Sequence, residues 1–199
     1  MYVGTPSTPT IRAAMSAGLL ACMDTPRQRN LIPAGARWAA DNGVFGAGYP
    51  GDDAWLSWLR ARTADPALCL FATAPDVVGD ASATLERSAP FLPAIRDVGL
   101  PAALVAQDGL EDLPVPWDAF DALFIGGTTE WKVSPAAADL AARARARGKW
   151  VHMGRVNSWK RWQVADAFGC DSCDGTYLAY APDLLLPDVL AWSAQDALW

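Results

Sequence analysis

Residues 122–154, ALFIGGTTEWKVSPAAADLAARARARGKWVHMG, read as a strand, a helix and a second strand. Ala122–Gly126 and Trp150–Gly154 are short apolar runs with strand character at their two ends of the stretch. Between them Ser134 precedes Pro135 in the favoured first helical position, an alanine-rich segment runs over Ser134–Arg147, and Gly148 stands where that helix should stop. Two buried strands joined by a helical crossover lie parallel.

Outward from this unit the same alternation fills the chain. Further strands are expected at Met1–Thr5, Leu19–Met23, Arg37–Asn42, Leu68–Ala74, Ala102–Gln107 and Gly169–Asp174, which makes eight. Helices are expected over Thr8–Ala17, Asp52–Arg62, Asp80–Val98, Ser158–Phe168 and Pro187–Leu198, with Asp80 and Ser158 as caps and Gly99 as a stop. Pro26–Ala36 reads as loop, and Leu110–Phe120, with Pro114 and Pro116, as at most one turn. Eight is the number that closes a barrel. The expected fold is therefore α/β, a compact single-domain (β/α)8 barrel of TIM type over residues 1–199, preferred to an open doubly wound sheet built from the same elements.

The length of 199 residues lies near the lower limit of about 200 for such a barrel. No long uninterrupted apolar run and no signal-peptide layout appears, so no membrane partner is expected and a cytoplasmic protein is the default. Cys22, Cys69, Cys170 and Cys173 form one C-x-x-C without a second pair at zinc-finger spacing, so reduced thiols are expected. Sixteen Lys and Arg stand against 22 Asp and Glu, a formal charge of −6 that argues against indiscriminate polyanion binding.

Polar residues gather where the strands end: Asp41 and Asn42, Asp76, Gln107 and Asp108, Gly126 and Gly127, Met153, Gly154 and Arg155, and Asp171 with Asp174. Each alone has a plain reading as a turn or cap residue. Together they mark the rim on which β/α barrels carry their sites. There is no G-x-S-x-G elbow, no Walker loop and no G-x-G-x-x-G directly on the end of a strand. The single histidine, His152, lies inside the seventh strand and reads as a core or rim residue rather than a ligand. Paired carboxylates remain, which suit acid–base and glycosyl chemistry. Asp76, Gln107 and the amides of Gly126 and Gly127 suit the edge of a planar heterocycle, with Phe45 and Met153 as its two faces.

These residues resemble the tRNA-guanine transglycosylase superfamily and its DNA-acting deazaguanine relatives. The similarity runs in family order through Asp41-Asn42-Gly43-Val44-Phe45, Pro75-Asp76, Val105-Ala106-Gln107-Asp108-Gly109, Phe124-Ile125-Gly126-Gly127, His152-Met153-Gly154 and Gly169-Cys170-Asp171-Ser172-Cys173-Asp174. It implies Asp174 as the nucleophile at C1′ of a guanosine and Asp41 as general base. It implies Asp76 and Gln107 as readers of the base edge, Gly126, Gly127, Gly154 and Asp171 as further parts of the base site, and Phe45 and Met153 as the stacking pair. Asn42 and Val44 replace small residues of the family motif. Only 25 residues follow Asp174, with no Cys or His among them, so the zinc subdomain of the tRNA enzymes is not expected, nor any metal or cofactor. That, with the wording of the last motif, inclines the reading to the DNA-acting branch found in phages and bacterial modification islands, acting in the phage or bacterial host cytoplasm.

The expected partners are DNA, or alternatively tRNA, with a flipped-out guanosine, and a free 7-deazaguanine such as preQ0; a homodimer or an accessory protein is left open. A non-catalytic barrel that binds a modified base or nucleic acid is the alternative from another class. The stretch Arg143–Arg161 holds seven Lys and Arg without a carboxylate. Arg155, Lys160 and Arg161 are the expected phosphate contacts, with Trp150, Trp159 and Trp162 interleaved. Arg143, Arg145 and Arg147 also read as a solvated helix face. Trp38, Trp55, Trp58, Trp117 and Trp131 read as packing residues, with Trp131 and Lys132 alternatively expected to reach the same groove.

Overall fold

A computed structural model describes residues 1–46, 48–62 and 64–195. Eight parallel strands close into a barrel in sequence order: β1 (Tyr2–Gly4), β2 (Ala21–Asp24), β3 (Trp38–Ala40), β4 (Cys69–Thr73), β5 (Ala102–Ala106), β6 (Ala122–Ile125), β7 (Trp150–Met153) and β8 (Ser172–Asp174). Closure pairs the first strand with the last, Tyr2 opposite Cys173 and Val3 opposite Asp174. All eight expected strands are present, though β3 and β8 are shorter than their apolar runs.

Strand alternation sorts the side chains into two layers. Val3, Ala21, Ala39, Phe71, Ala103 and Ala122 fill the barrel interior. Residues of opposite parity, such as Cys22, Leu104, Leu123, Ile125, Val151 and Met153, pack outward among the helices. Four of these six are alanine, and the space they leave is filled by Phe71 and Phe124, edge to face at 6.0 Å between centroids.

The helices are α1 (Pro9–Ser16), α2 (Asp52–Arg60), α3 (Ala81–Ser88), α4 (Phe91–Asp97), α5 (Thr129–Lys132), α6 (Pro135–Arg145), α7 (Trp159–Ala167), α8 (Tyr177–Tyr180) and α9 (Pro182–Gln195). Asp80, Ser134 and Ser158 cap α3, α6 and α7 by accepting from the third amide of each helix. The helix expected over Asp80–Val98 is two helices, because Pro90 cannot donate the bond that would carry α3 onward, and its constrained φ starts α4 instead. The 110–120 connection holds two 3-10 turns, not one. The short helices α5 and α8 lack a long apolar period, and neither was expected. The last helix starts five residues earlier than its sequence suggested, with Pro187 inside it; the expected positions 196–198 lie outside the described residues. Among the described residues no helix is long and apolar enough to cross a membrane.

Candidate active site

The carboxyl ends of β3 to β8 enclose an open cleft of about 550 Å³, counting the solvent at its mouth. One wall is a hydrogen-bonded edge. The carboxylate of Asp76, 5% exposed, accepts from Gln107 Nε2 at 2.7 Å and from Asn42 Nδ2 at 3.2 Å. Gln107 Oε1 in turn accepts from the amides of Gly79 at 2.9 Å and Gly127 at 3.0 Å. Both acceptor sites of that oxygen are taken, so Gln107 offers the cleft only its second amide hydrogen, while each Asp76 oxygen keeps a lone pair. Burial pushes the Asp76 carboxyl up, against the donors Asn42 and Gln107 that hold it down. Asn42 is a brace: its Nδ2 also donates to the Ala74 carbonyl, and its Oδ1 accepts from the Val44 amide.

Two further carboxylates of different character line the same cleft. Asp41 accepts only long hydrogen bonds, both 3.4 Å, from Thr73 Oγ1 and the Gly43 amide. Burial first, then the charges of Asp174 and Asp76, raise its carboxyl to about 7. Asp174, its side chain 26% exposed, receives His152 Nε2 on Oδ1 at 3.0 Å. His152 Nδ1 lies 2.8 Å from Ser172 Oγ, and Trp150 Nε1 donates to that hydroxyl at 2.8 Å. Ser, His and Asp in hydrogen-bond order resemble a hydrolytic triad, but the polarity is reversed. Here Ser172 is 1% exposed in the barrel interior, and the carboxylate is the end that faces the cleft.

The flat faces come from Val105, Phe124 and Phe45. Phe45 is 62% exposed at the mouth, and the Arg155 guanidinium lies over its ring at 4.4 Å. Arg155 also donates to the Gly127 carbonyl and holds a left-handed backbone, φ 60°, rare for a residue with a side chain. The Arg155 carbonyl accepts from Arg161 at 3.1 Å, which braces that conformation.

Gly154 forms part of the floor. A Cβ there would sit 2.7 Å from the Phe124 ring and 3.4 Å from Asp174 Oδ1. Gly154→Ala is expected to destabilise the fold by about 1–3 kcal/mol through overpacking. A lower urea midpoint at unchanged m is the reading that checks this.

Of the residues expected in the site, Asp41, Asp174, Asp76, Gln107, Gly126, Gly127, Phe45, Gly154 and Arg155 all line the cleft. Others do not. Met153 is 1% exposed and points outward among the helices, and the ring of Phe124 lines the cleft instead. Asp171 precedes β8, at the opposite end of the barrel, where its carboxylate accepts from the Val151 amide. Lys132 is 1% exposed, and its ammonium donates to the Gly154 carbonyl at 2.6 Å beneath the rim. Burial, then the Arg155 charge, lower that ammonium to about 7, and no phosphate can reach it. The amides of Gly126 and Gly127 are already donated, to the Ala106 carbonyl and to Gln107, so neither is available to a base.

The basic stretch divides in the same way. Arg143 and Arg147 lie over the Trp117 ring, and Lys149 donates to the Phe120 carbonyl. Trp162 is 4% exposed and Trp150 is bonded to Ser172, so neither stacks on a polymer; Trp159 packs on Trp192, and Trp131 donates to Glu111. Lys160 is exposed, and Arg161 is partly occupied by the Arg155 carbonyl. His152 is the site residue that the sequence reading missed. Its parity within β7 was the available signal, since it points the ring inward beside Ser172 of β8.

A closed parallel barrel with its polar cleft on the carboxyl rim defines a (β/α)8 barrel of the TIM type. No family model and no curated protein matches the sequence. Among solved structures, one described as native KDPGal aligns over 98% of this chain and 92% of its own, at 12% identity with a TM-score of 0.57. The 3-hexulose-6-phosphate synthase from Salmonella typhimurium aligns over 98% of both chains, at 13% identity with a TM-score of 0.52. Likeness at these identities is one of architecture.

Proposed function

We propose that this barrel is a transglycosylase that exchanges a guanine in DNA for a 7-deazaguanine base. The observation that carries the reading is that Asp41, Asp174 and the Asp76–Gln107 edge line one cleft. Guanine presents N1–H and N2–H₂ as donors and O6 as an acceptor. The free lone pairs of Asp76 and the remaining Gln107 hydrogen complement that edge. The motif order and the cleft support the reading together.

In the reaction, an Asp174 oxygen attacks C1′, forms a C1′–O bond and breaks C1′–N9. Protonated Asp41 gives its proton to the departing guanine. The 7-deazaguanine then enters, Asp41 takes the proton from its N9, and N9 displaces Asp174 from C1′. Two displacements restore the β configuration, and Asp41 ends protonated as it began. A carboxyl near 7 suits both duties, since neither protonation state is scarce at neutral pH. A duplex guanine must leave its stack, which costs a few kcal/mol that stacking on Phe45 and phosphate contacts offset.

The test is incorporation of radiolabelled preQ0 into DNA and, in a separate arm, into tRNA. Label in DNA is the expected outcome; label in tRNA alone moves the activity to that polymer, and binding without exchange makes the protein a base-binding barrel. In DNA-binding titrations, Arg155→Ala and Lys160→Ala are each expected to flatten the plot of log affinity against log salt by about one unit. An unchanged slope removes those residues from the phosphate path.

A further inference from the structure

Resting on that reading, we infer that His152 is a positioning residue for Asp174, held as the Nε2–H tautomer by a one-way hydrogen-bond chain that begins at Trp150.

The direction of the chain follows from its first member. An indole nitrogen only donates, so Trp150 Nε1–H occupies an acceptor site of Ser172 Oγ. The one hydroxyl hydrogen of Ser172 is then directed to His152 Nδ1, 2.8 Å away. With Nδ1 accepting, the imidazole proton resides on Nε2 and is donated to Asp174 Oδ1 at 3.0 Å. A doubly protonated ring would leave the serine hydrogen with no acceptor in this chain. Burial, which opposes the imidazolium, agrees with the neutral form although Asp174 favours the charged one.

The ring is also fixed in place. It is fully buried between Phe71 and Phe124, with centroids 4.8 and 4.5 Å away. A flipped ring would present carbon where each bond now ends. The Asp174 backbone is held separately, its carbonyl accepting from the Val156 amide at 2.6 Å. One carboxylate oxygen is thereby tied, and Oδ2 is left as the attacking atom with a defined direction. Positional control of a reacting oxygen acts on the chemical step more than on binding.

This chain contains one histidine, so its nitrogen resonances can be assigned without mutagenesis. In ¹⁵N-histidine-labelled protein at pH 7, the expected spectrum is that of a neutral ring protonated at Nε2. Ser172→Ala is expected to release the tautomer into a mixture and lower kcat several-fold. His152→Phe is expected to lower kcat about 10- to 100-fold with KM for the incoming base unchanged, and His152→Gln, which restores an N–H donor, to recover part of the loss. Should His152→Phe fail to fold, Ser172→Ala carries the test alone. An Nδ1–H tautomer, or an unchanged kcat in either His152→Phe or Ser172→Ala, overturns the positioning role while exchange by the wild type stands. No exchange by the wild type, with the Nε2–H tautomer present, overturns the transglycosylase reading and the catalytic part of this inference with it.

Discussion

Asp174→Asn is expected to reduce base exchange by about 10³-fold or more and to leave no covalent adduct on the protein. The amide keeps the size of the carboxylate, and its oxygen can still accept from His152 Nε2. The backbone bond from the Val156 amide to the residue 174 carbonyl is independent of the side chain. What the substitution removes is the charge and the nucleophilic lone pair, so folding and base affinity are expected to survive. Loss of a covalent route corresponds to about 4 kcal/mol or more of transition-state stabilisation. The measurement is denaturing mass spectrometry after mixing with DNA that contains the target guanine: wild type should carry a deoxyribosyl-linked strand on a peptide containing Asp174, and the variant none. Asparagine followed by Gly175 deamidates readily, so Asp174→Ala belongs beside it. An adduct on any other residue, or full exchange by the alanine variant, would sink the assignment.

Asp41→Asn is expected to do two opposite things. Exchange should fall by about 10²- to 10⁴-fold, the usual contribution of a positioned acid–base group. Stability at pH 8 should rise. The folded protein raises this carboxyl to about 7, chiefly by burial and by the Asp174 charge, so between the ordinary carboxylate range and pH 7 the native state holds a proton that the unfolded chain has lost. Stability from this group is therefore full at low pH and declines as pH rises to about 7. The whole displacement corresponds to about 4 kcal/mol. Asp41 retains contact with solvent at the cleft, and screening there leaves roughly a third of that. For a domain of this size such a gain is a rise in Tm of about 3–5 °C. Thermal melts of both proteins from pH 4 to 8 check it: the curves should lie together near pH 4, separate progressively between pH 4 and 7, and keep a constant gap above pH 7. Convergence at pH 8 would show that the Asp41 charge is not strained by its surroundings. A site residue whose removal stabilises the protein is one that the fold tolerates for another purpose.

The strands were legible because each is a short apolar run between turn residues, and their number and helical connections led directly to the barrel. The acidic and amide residues of the cleft were legible for a related reason: Asp41, Asp76, Gln107 and Asp174 all lie at the point where an apolar run stops. What a run does not disclose is which face each residue takes. Met153 and His152 are neighbours in one motif, and strand alternation sends the first to the helices and the second to the lumen. Asp171 was placed on the wrong end because the apolar approach to β8 begins at Gly169, three residues before the ladder does. Lys132 was misread because a four-residue helix, too short to show a period, turns its ammonium beneath the rim.

Closure between β1 and β8 sets Val3 opposite Asp174, a pairing of residues 171 positions apart. During synthesis the strands bearing Asp41, Asp76 and Gln107 leave the ribosome before β8. A chain that ends before β8 lacks Asp174 and also the strand that closes the barrel onto β1. For the proposed transglycosylase, attack on the sugar would then be a property of the closed ring alone.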